Sequence, residues 1–175
     1  MFYRTKTYIA ADWDEDLCAV EKLHEWNSNS FYSKLDFIDV HDFIQSRDSS
    51  LCCTIKRSLR DRMNISKTFI LIVGNKTNIV TKGSCQYCAK YKKIIYGRAY
   101  CQSNNNIDSK SFIKYECELA IKNNLNIVVL YNSNIVNKQL CPEIIRLIGI
   151  HVPMKVNGAY CYSNVRDAIM KAENN

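Results

Sequence analysis

The segment Lys67–Val73 (KTFILIV) constrains the fold more than any other part of the chain. Successive side chains of a strand point to opposite faces, so a continuous apolar run predicts a strand that is buried on both faces. Such strands are typical of the centre of a parallel sheet, which helices must cover on both sides. This segment therefore predicts an α/β fold.

Strand-like and helix-like segments alternate along the rest of the chain. Short apolar runs predict further strands at Thr7–Ala11, Leu35–Val40, Asn126–Tyr131 and near Gly149–Pro153. Apolar residues at helical spacing predict helices over Asp14–Trp26, around Ile55, Leu59 and Met63, around Ile113, Cys117 and Ala120, from Pro142 and from Asn164. This order predicts a parallel sheet of about five strands with helices on both faces.

The basic residues are unevenly distributed. The 175 residues fit one domain, and residues 82–110 contain six basic residues against one acidic residue, within a total net charge of +7. The same segment holds Cys85, Cys88 and Cys101. We predict a single domain, residues 1–175, with a Cys-rich basic insert at about 82–110.

Membrane and secretion signals are missing from the sequence. No apolar run approaches the roughly 18 residues of a membrane span, and the N-terminal residues lack the apolar core of a signal peptide. Several cysteines, among them Cys18, Cys52 and Cys117, lie in apolar segments and are predicted to be small buried side chains. Reduced thiols are favoured, so we expect a cytoplasmic protein without membrane contact.

The three thiols of the insert have a spacing that fits part of a zinc site. A structural zinc site needs four ligands, and the insert holds no histidine, so a fourth ligand would have to come from Cys117 or a distant residue. A redox-labile pair and three unrelated loop thiols are the alternatives. We predict no metal, with Cys85, Cys88 and Cys101 as the zinc candidates.

Known cofactor motifs are also missing. The sequence holds no G-x-G-x-x-G, no P-loop and no G-x-S-x-G elbow, which argues against a Rossmann cofactor, a P-loop nucleotide and a serine hydrolase. Ligands of parallel sheets bind at the carboxyl ends of the strands. At that edge we expect Ala11, Asp12 and the polar segment 41–50. Asp48 or Ser49 is expected to cap the helix that follows this segment. Such a cap is compatible with function, because a helix N-terminus with Arg47 nearby also attracts phosphate.

Glu116 is the most informative acidic residue. It lies near the start of the helix whose inward stripe is Ile113, Cys117 and Ala120, and it is predicted to lie off that stripe. It shares a face with Phe112, four residues earlier. The pattern alone fits an ordinary solvated glutamate as well as a functional carboxylate.

Five blocks in this order resemble the Toll/interleukin-1 receptor (TIR) fold, and more closely the bacterial TIR-like proteins of the Thoeris B type, which act in anti-phage defence. The blocks are TYIAADWDEDL (7–17), HDFIQSRDSS (41–50), IKRSLRDRMNISKTFILIVGNKT (55–77), FIKYECELAIKNNLNIVVLYNS (112–133) and CPEIIRLIGIHV (141–152). The resemblance covers nearly the whole chain outside 82–110. It implies a flavodoxin-like, five-stranded sheet.

The resemblance also implies an enzyme that cleaves NAD at the nicotinamide–ribose bond and makes a cyclic ADP-ribose-type signal for a separate effector. NAD is then the substrate, with no further cofactor. The family's catalytic glutamate falls on Glu116 and its aromatic, often Trp, on Phe112. Substrate contacts are expected from Ala11, Asp12, Asp42, Arg47, Asp48 and Ser49, and self-association through TIR surfaces is expected as well.

Two other functions compete with NAD cleavage. One is a non-enzymatic TIR module that signals by assembly, for which Glu116 would be incidental. The other is nucleic-acid binding by the insert, where Tyr87, Tyr91, Tyr96 and Tyr100 alternate with basic residues. The modest charge of the insert favours a solvated loop over nucleic acid.

Overall fold

A computed structural model describes residues 4–29, 31–32, 35, 37–40, 51–93, 97–103 and 107–174. Twelve strands and α-helices follow one another in that part of the chain. They are β1 (Lys6–Ala10), α1 (Leu17–Ser28), α2 (Cys52–Asn64), β2 (Ser66–Val73), β3 (Tyr91–Lys92), β4 (Tyr100–Cys101), α3 (Phe112–Lys122), β5 (Asn126–Tyr131), β6 (Ile150–Pro153), β7 (Lys155–Val156), β8 (Ala159–Tyr160) and α4 (Tyr162–Glu173).

The main sheet is parallel and has the strand order β1-β2-β5-β6. Its central strand β2 is buried along its length except at Lys67, which confirms the prediction from the apolar run. The predicted strand Leu35–Val40 is reduced, among its described residues, to a parallel bridge of Asp39 with Thr7. The bridge lies on the side of β1 that faces away from β2, so the sheet has four strands among the described residues where about five were predicted. The α/β class that the sequence predicts is confirmed, and the strand order is consistent with the flavodoxin-like fold that the resemblance implies.

Helices cover both faces of the sheet, as predicted. One face packs against α1 and α4 through a core that includes Ile9, Trp26 and Ile169. The opposite face packs against α2 and α3 through a core that includes Tyr8 and Phe69. Because side chains alternate along β1, Tyr8 and Ile9 enter different cores, and this alternation decides which face holds the candidate site.

Several boundaries differ from the sequence-based predictions. Helix α1 begins at Leu17, and α4 begins at Tyr162. The helix expected from Pro142 is one 3-10 turn, Glu143–Ile145. A small hairpin of β7 and β8 was not predicted, and its turn uses Asn157 and Gly158, which both have positive φ.

The insert begins and ends at one place. The backbone N–H of Phe112 donates to the carbonyl of Lys82 at 2.8 Å, and the N–H of Cys85 donates to the carbonyl of Asp108 at 2.9 Å. Between these contacts the described residues form the 3-10 turn Cys85–Tyr87 and the antiparallel pair β3–β4. Among the helices of the described residues, none has the length and apolar character needed to cross a bilayer.

Candidate active site

Glu116 lies in the second turn of α3 and is buried, with 6% of its surface exposed. Its Oε1 accepts a hydrogen bond from the hydroxyl of Tyr8, and the two oxygens are 2.5 Å apart. Tyr8 belongs to β1 and is fully buried. A carboxyl group therefore lies at the contact between α3 and β1, shielded from water.

The prediction that Glu116 lies off the buried stripe is wrong. It follows Ile113 by three positions and directly precedes Cys117, so it lies on the edge of the stripe that packs on the sheet. A glutamate is accommodated there because the Tyr8 hydroxyl satisfies one of its oxygens. The sequence gives no sign of this pair, since the two residues are 108 positions apart.

The Tyr8 hydroxyl remains a hydrogen-bond donor at neutral pH. Burial raises the pKa of Tyr8 well above its ordinary value, and the charge of Glu116 and the hydrogen bond to it raise it further. Asp39 adds a smaller increase, and Arg62 opposes these effects. The phenol therefore keeps its proton and donates a hydrogen bond to the carboxylate.

Phe112, the predicted aromatic partner, is half-buried at the first position of α3. Gly83 at the start of the insert lies against its ring, and a Cβ added there would lie 2.5 Å from ring carbons. Gly83 also has a φ of +97°, which favours glycine. The insert thus covers part of Phe112, and a ligand ring has to use the ring surface that Gly83 leaves open.

The turn after β1 is built by Asp12. Its carbonyl accepts the N–H groups of Glu15 at 3.1 Å and of Asp16 at 2.7 Å. Its carboxylate accepts the N–H of Asp14 at 3.3 Å. Asp12 therefore has a structural role in this turn, whatever it contacts in a ligand.

Ala11 is separated from Glu116 by the sheet. Its side chain enters the core shared with α1, whereas Glu116 meets the opposite face through Tyr8. Only the backbone of Ala11 is therefore suited to contact a ligand near Glu116. The turn itself is tied to the insert, because Lys82 Nζ lies 3.2 Å from Asp14 Oδ2.

The other predicted substrate contacts, Asp42, Arg47, Asp48 and Ser49, lie outside the described residues. Val40, the last described residue before them, packs against the core that contains Tyr8. The described part of the candidate site is the Tyr8–Glu116 pair, with Phe112 about one helical turn before Glu116 on α3.

One comparison with known protein families matches the first part of the chain. The family model described as the Thoeris protein ThsB, TIR-like domain, matches residues 8–81, from β1 through β2 and the turn after it. Over this segment the chain is similar to the TIR-like domain of ThsB. The match supports a TIR protein of anti-phage defence. A search of curated proteins found no match.

The matched part of the chain ends where the insert begins. It includes Tyr8 and the turn after β1, whereas Phe112 and Glu116 lie beyond it. The fold connects the two parts, because β5 continues the sheet beside β2 and the hydrogen bond from Tyr8 joins the matched strand to α3. The α/β fold therefore continues across the insert.

The arrangement of the cysteine thiols differs from the sequence-based predictions. Cys18 is exposed, contrary to the prediction that it is buried, because it lies on the outer side of α1. The Cys52 thiol at the start of α2 contacts the thiol of Cys88 and lies near Cys85. Among the described residues, no group of three or more His, Cys, Asp or Glu is arranged to hold a metal ion.

Asp16 is a buried carboxyl group that the sequence analysis did not single out. Its Oδ1 accepts a hydrogen bond of 2.9 Å from the Asn132 amide, while its Oδ2 has no hydrogen-bond partner among the described residues. Burial raises the pKa of Asp16, and the hydrogen bond from Asn132 opposes this increase. Gly74 makes room for the carboxyl group, since a Cβ there would lie 2.3 Å from its oxygens. In the sequence, Asp16 looks like one more member of a solvated acidic run.

Proposed function

We propose that this TIR-like protein cleaves NAD at the nicotinamide–ribose bond and produces an ADP-ribose-type signal, cyclic in form, for a separate effector protein. The observation that carries the proposal is the buried carboxyl group of Glu116, held by Tyr8. Resemblance to the TIR enzymes supports the same residue. The proposal gives this chain a chemical role in Thoeris defence.

The reaction suits a single carboxylate. When the bond between ribose C1′ and the pyridinium nitrogen breaks, its electron pair moves to the nitrogen and nicotinamide leaves as a neutral molecule. No general acid is needed, and positive oxocarbenium character develops on the ribose. A fixed carboxylate in a site with little water stabilises that charge strongly, because few solvent dipoles screen it.

The product depends on what attacks C1′. Attack by water gives ADP-ribose, and attack by a nitrogen of the adenine of the same molecule gives a cyclic product. Phe112 would hold a flat ring on its open surface. Arg47 would neutralise the pyrophosphate, and Asp42, Asp48 and Ser49 would bind hydroxyl groups of the substrate.

The decisive experiment is incubation of the purified chain with NAD, followed by mass spectrometry of the products. We expect free nicotinamide together with an ADP-ribose-type product. Glu116→Gln is expected to reduce turnover by about 100-fold or more, on the scale of removing a main electrostatic stabiliser. Retention of wild-type turnover by this variant would refute the assignment.

Glu118→Gln is the matched control. It makes the same chemical change two residues further along α3, where Glu118 is about one-third exposed and pairs with Lys110. We expect turnover within about twofold of wild type, because exposed ion pairs contribute little. Equal losses in both variants would indicate damage to α3 rather than loss of a catalytic group.

Assembly without catalysis is a second candidate, favoured by a turn of exposed apolar side chains. Leu147 is 88% exposed, and Ile144 and Ile148 on the same turn are also exposed. A second copy of the chain would cover them. Light scattering of the wild type and of Leu147→Lys tests assembly independently of NAD.

A reducing compartment is also part of the proposal. All nine cysteines are free thiols, and four of them are buried. A chain of this kind would be stable in the cytoplasm, where thiols stay reduced and NAD is available.

A further inference from the structure

We infer that Tyr8 is a positioning residue for the Glu116 carboxylate, which it keeps ionised and fixed in orientation for the reacting ribose. The inference rests on the proposed function and extends it to a residue on β1. Neither Tyr8 nor any other residue of β1 was predicted from the sequence to act on Glu116.

Tyr8 is the more rigid member of the pair. Its backbone is paired with Phe69 across the β1–β2 ladder, and its ring packs on the ring of Phe69 with 5.9 Å between centroids. Both side chains are fully buried. The Tyr8 hydroxyl therefore has a fixed position beside the sheet. Glu116, which accepts its hydrogen bond, lies on helix α3.

A glutamate side chain on its own is poorly ordered. It has several rotatable bonds, and restricting them has a considerable entropic cost. The hydrogen bond to Oε1 restricts the orientation of the carboxylate beside β1. A carboxylate that is already oriented does not have to reorganise as the oxocarbenium ion forms, and such preorganisation is a main source of electrostatic catalysis.

The same hydrogen bond favours the charged form of Glu116. A donor to a carboxylate stabilises the ionised state relative to the protonated state. Three described titratable groups face this pair. Arg62 on α2 and Asp39 beside β1 affect the pKa of Tyr8 through their charges. The third is the Cys117 thiol on α3, next to Glu116 in the chain. Burial and then the charge of Glu116 raise the pKa of Cys117, so this neighbour is a neutral thiol at neutral pH.

Tyr8→Phe tests the inference, because it removes the hydroxyl and keeps the ring on Phe69. We expect kcat for NAD cleavage to fall by roughly tenfold to 100-fold, the scale of one hydrogen bond to a charged group, while KM changes by less than about twofold. We also expect the acidic limb of the pH–rate profile to move to higher pH, because the carboxylate loses a donor. A loss of packing alone would not move that limb.

Tyr131→Phe is the matched control. Tyr131 belongs to β5, is buried in the same core as Tyr8, and directs its hydroxyl to His151 Nδ1 at 3.0 Å instead of to Glu116. We expect this variant to keep the wild-type pH profile. The inference is overturned if Tyr8→Phe keeps the wild-type profile, or if both variants shift the profile equally.

Two further measurements separate this inference from the proposed function. If the wild type cleaves no NAD, the proposed function fails, but a carbon-13 NMR titration of the Glu116 carboxyl still tests Tyr8. The carboxyl should titrate at higher pH in Tyr8→Phe, and an unchanged titration overturns the inference.

If Tyr8→Phe does not fold, a difluorotyrosine placed at position 8 keeps the shape of the side chain and donates a stronger hydrogen bond. It should move the titration to lower pH, and no movement overturns the inference.

Discussion

Lys56 and Asp108 form an ion pair, with 2.9 Å between Lys56 Nζ and Asp108 Oδ2, that joins α2 to the end of the insert. The Lys56 side chain is only 6% exposed, and its ammonium also donates to the carbonyl of Lys110 at 2.7 Å. The ring of Tyr115 lies beside it, with 5.4 Å between the ammonium and the ring centroid. The insert is therefore fastened to the helical layer through one buried cation.

Lys56→Met is expected to lower the free energy of unfolding by roughly 1–3 kcal/mol, because the part-buried Lys110 carbonyl and the Asp108 carboxylate lose their donor. Burial alone would raise the pKa of Asp108, but hydrogen bonds from the Lys110 N–H and from Lys56 bring it below its ordinary value. A lowered pKa in the folded state gives stability that is present at neutral pH and is lost as the pH falls through that pKa.

Urea unfolding of the wild type and of Lys56→Met at neutral pH and at about pH 3 checks this prediction. The difference between the two proteins should be larger at neutral pH. Lys92→Met, which changes an exposed lysine of the insert, serves as the control and should stay close to wild type at both pH values. A constant difference at both values would contradict the role of the Asp108 charge.

Gly83→Ala is expected to destabilise the protein by about 2–4 kcal/mol, because it adds strain at positive φ and a contact with the Phe112 ring. Gly158→Ala measures the cost of positive φ alone, because Gly158 also has positive φ but a Cβ there would meet nothing within 4 Å. We expect about 1 kcal/mol for that variant. Thermal unfolding of both variants compares the two effects, and equal losses would show that contact with Phe112 contributes nothing.

Asp16→Asn is expected to gain stability relative to wild type as the pH rises. The folded state holds the pKa of the Asp16 carboxyl above its ordinary value, so the wild type is penalised once the pH exceeds the unfolded pKa, near 3.9. The amide of Asn does not titrate, so its own effect on the free energy of unfolding does not change with pH and leaves the trend intact. Melting temperatures of both proteins from pH 3 to pH 7 measure the trend, with Asp61→Asn on exposed helix surface as the control. A difference that does not change with pH would contradict it.

Cys161 is expected to be alkylated before Cys52, Cys117 and Cys141. A hydrogen bond from the Ser163 side chain lowers the pKa of the Cys161 thiol, whereas burial raises the pKa of Cys52 and brings that of Cys141 to about 11. Thiolates are the reactive form, so iodoacetamide at neutral pH should label Cys161 before it labels these three thiols. Peptide mapping by mass spectrometry gives the order. Ser163→Ala should slow labelling of Cys161, and faster labelling of Cys141 would contradict the assignment.

The fold was largely predictable because it depends on short-range patterns. The apolar run in β2 and the helical spacing of Leu59 and Met63 report burial directly, since each pattern arises from the local periodicity of a strand or a helix. Among the described residues, the helix predicted from Pro142 is one exception. The strand predicted at Leu35–Val40 is another. Its pairing with β1 is reduced to the bridge at Asp39, and strand pairing depends on partners far away in sequence.

The candidate site was less predictable, because its contacts are long-range. Glu116 was found through resemblance, but its burial depends on Tyr8. The cover that Gly83 places on Phe112 depends on how the insert returns, and the contact between Cys52 and Cys88 depends on how it packs on α2. None of these pairs shares a strand or a helix, so no periodicity in the sequence encodes them.

The two ends of the insert are joined by the hydrogen bond between Lys82 and Phe112. The polypeptide therefore enters the insert at Lys82 and returns from it to the start of α3 at nearly the same point. The entropic cost of closing a flexible loop rises by only about 0.6 kcal/mol for each doubling of its length. This position is thus a natural site for evolutionary gain or loss of sequence, and a relative with a tight turn here, or with a much larger lobe, would build the same strand order.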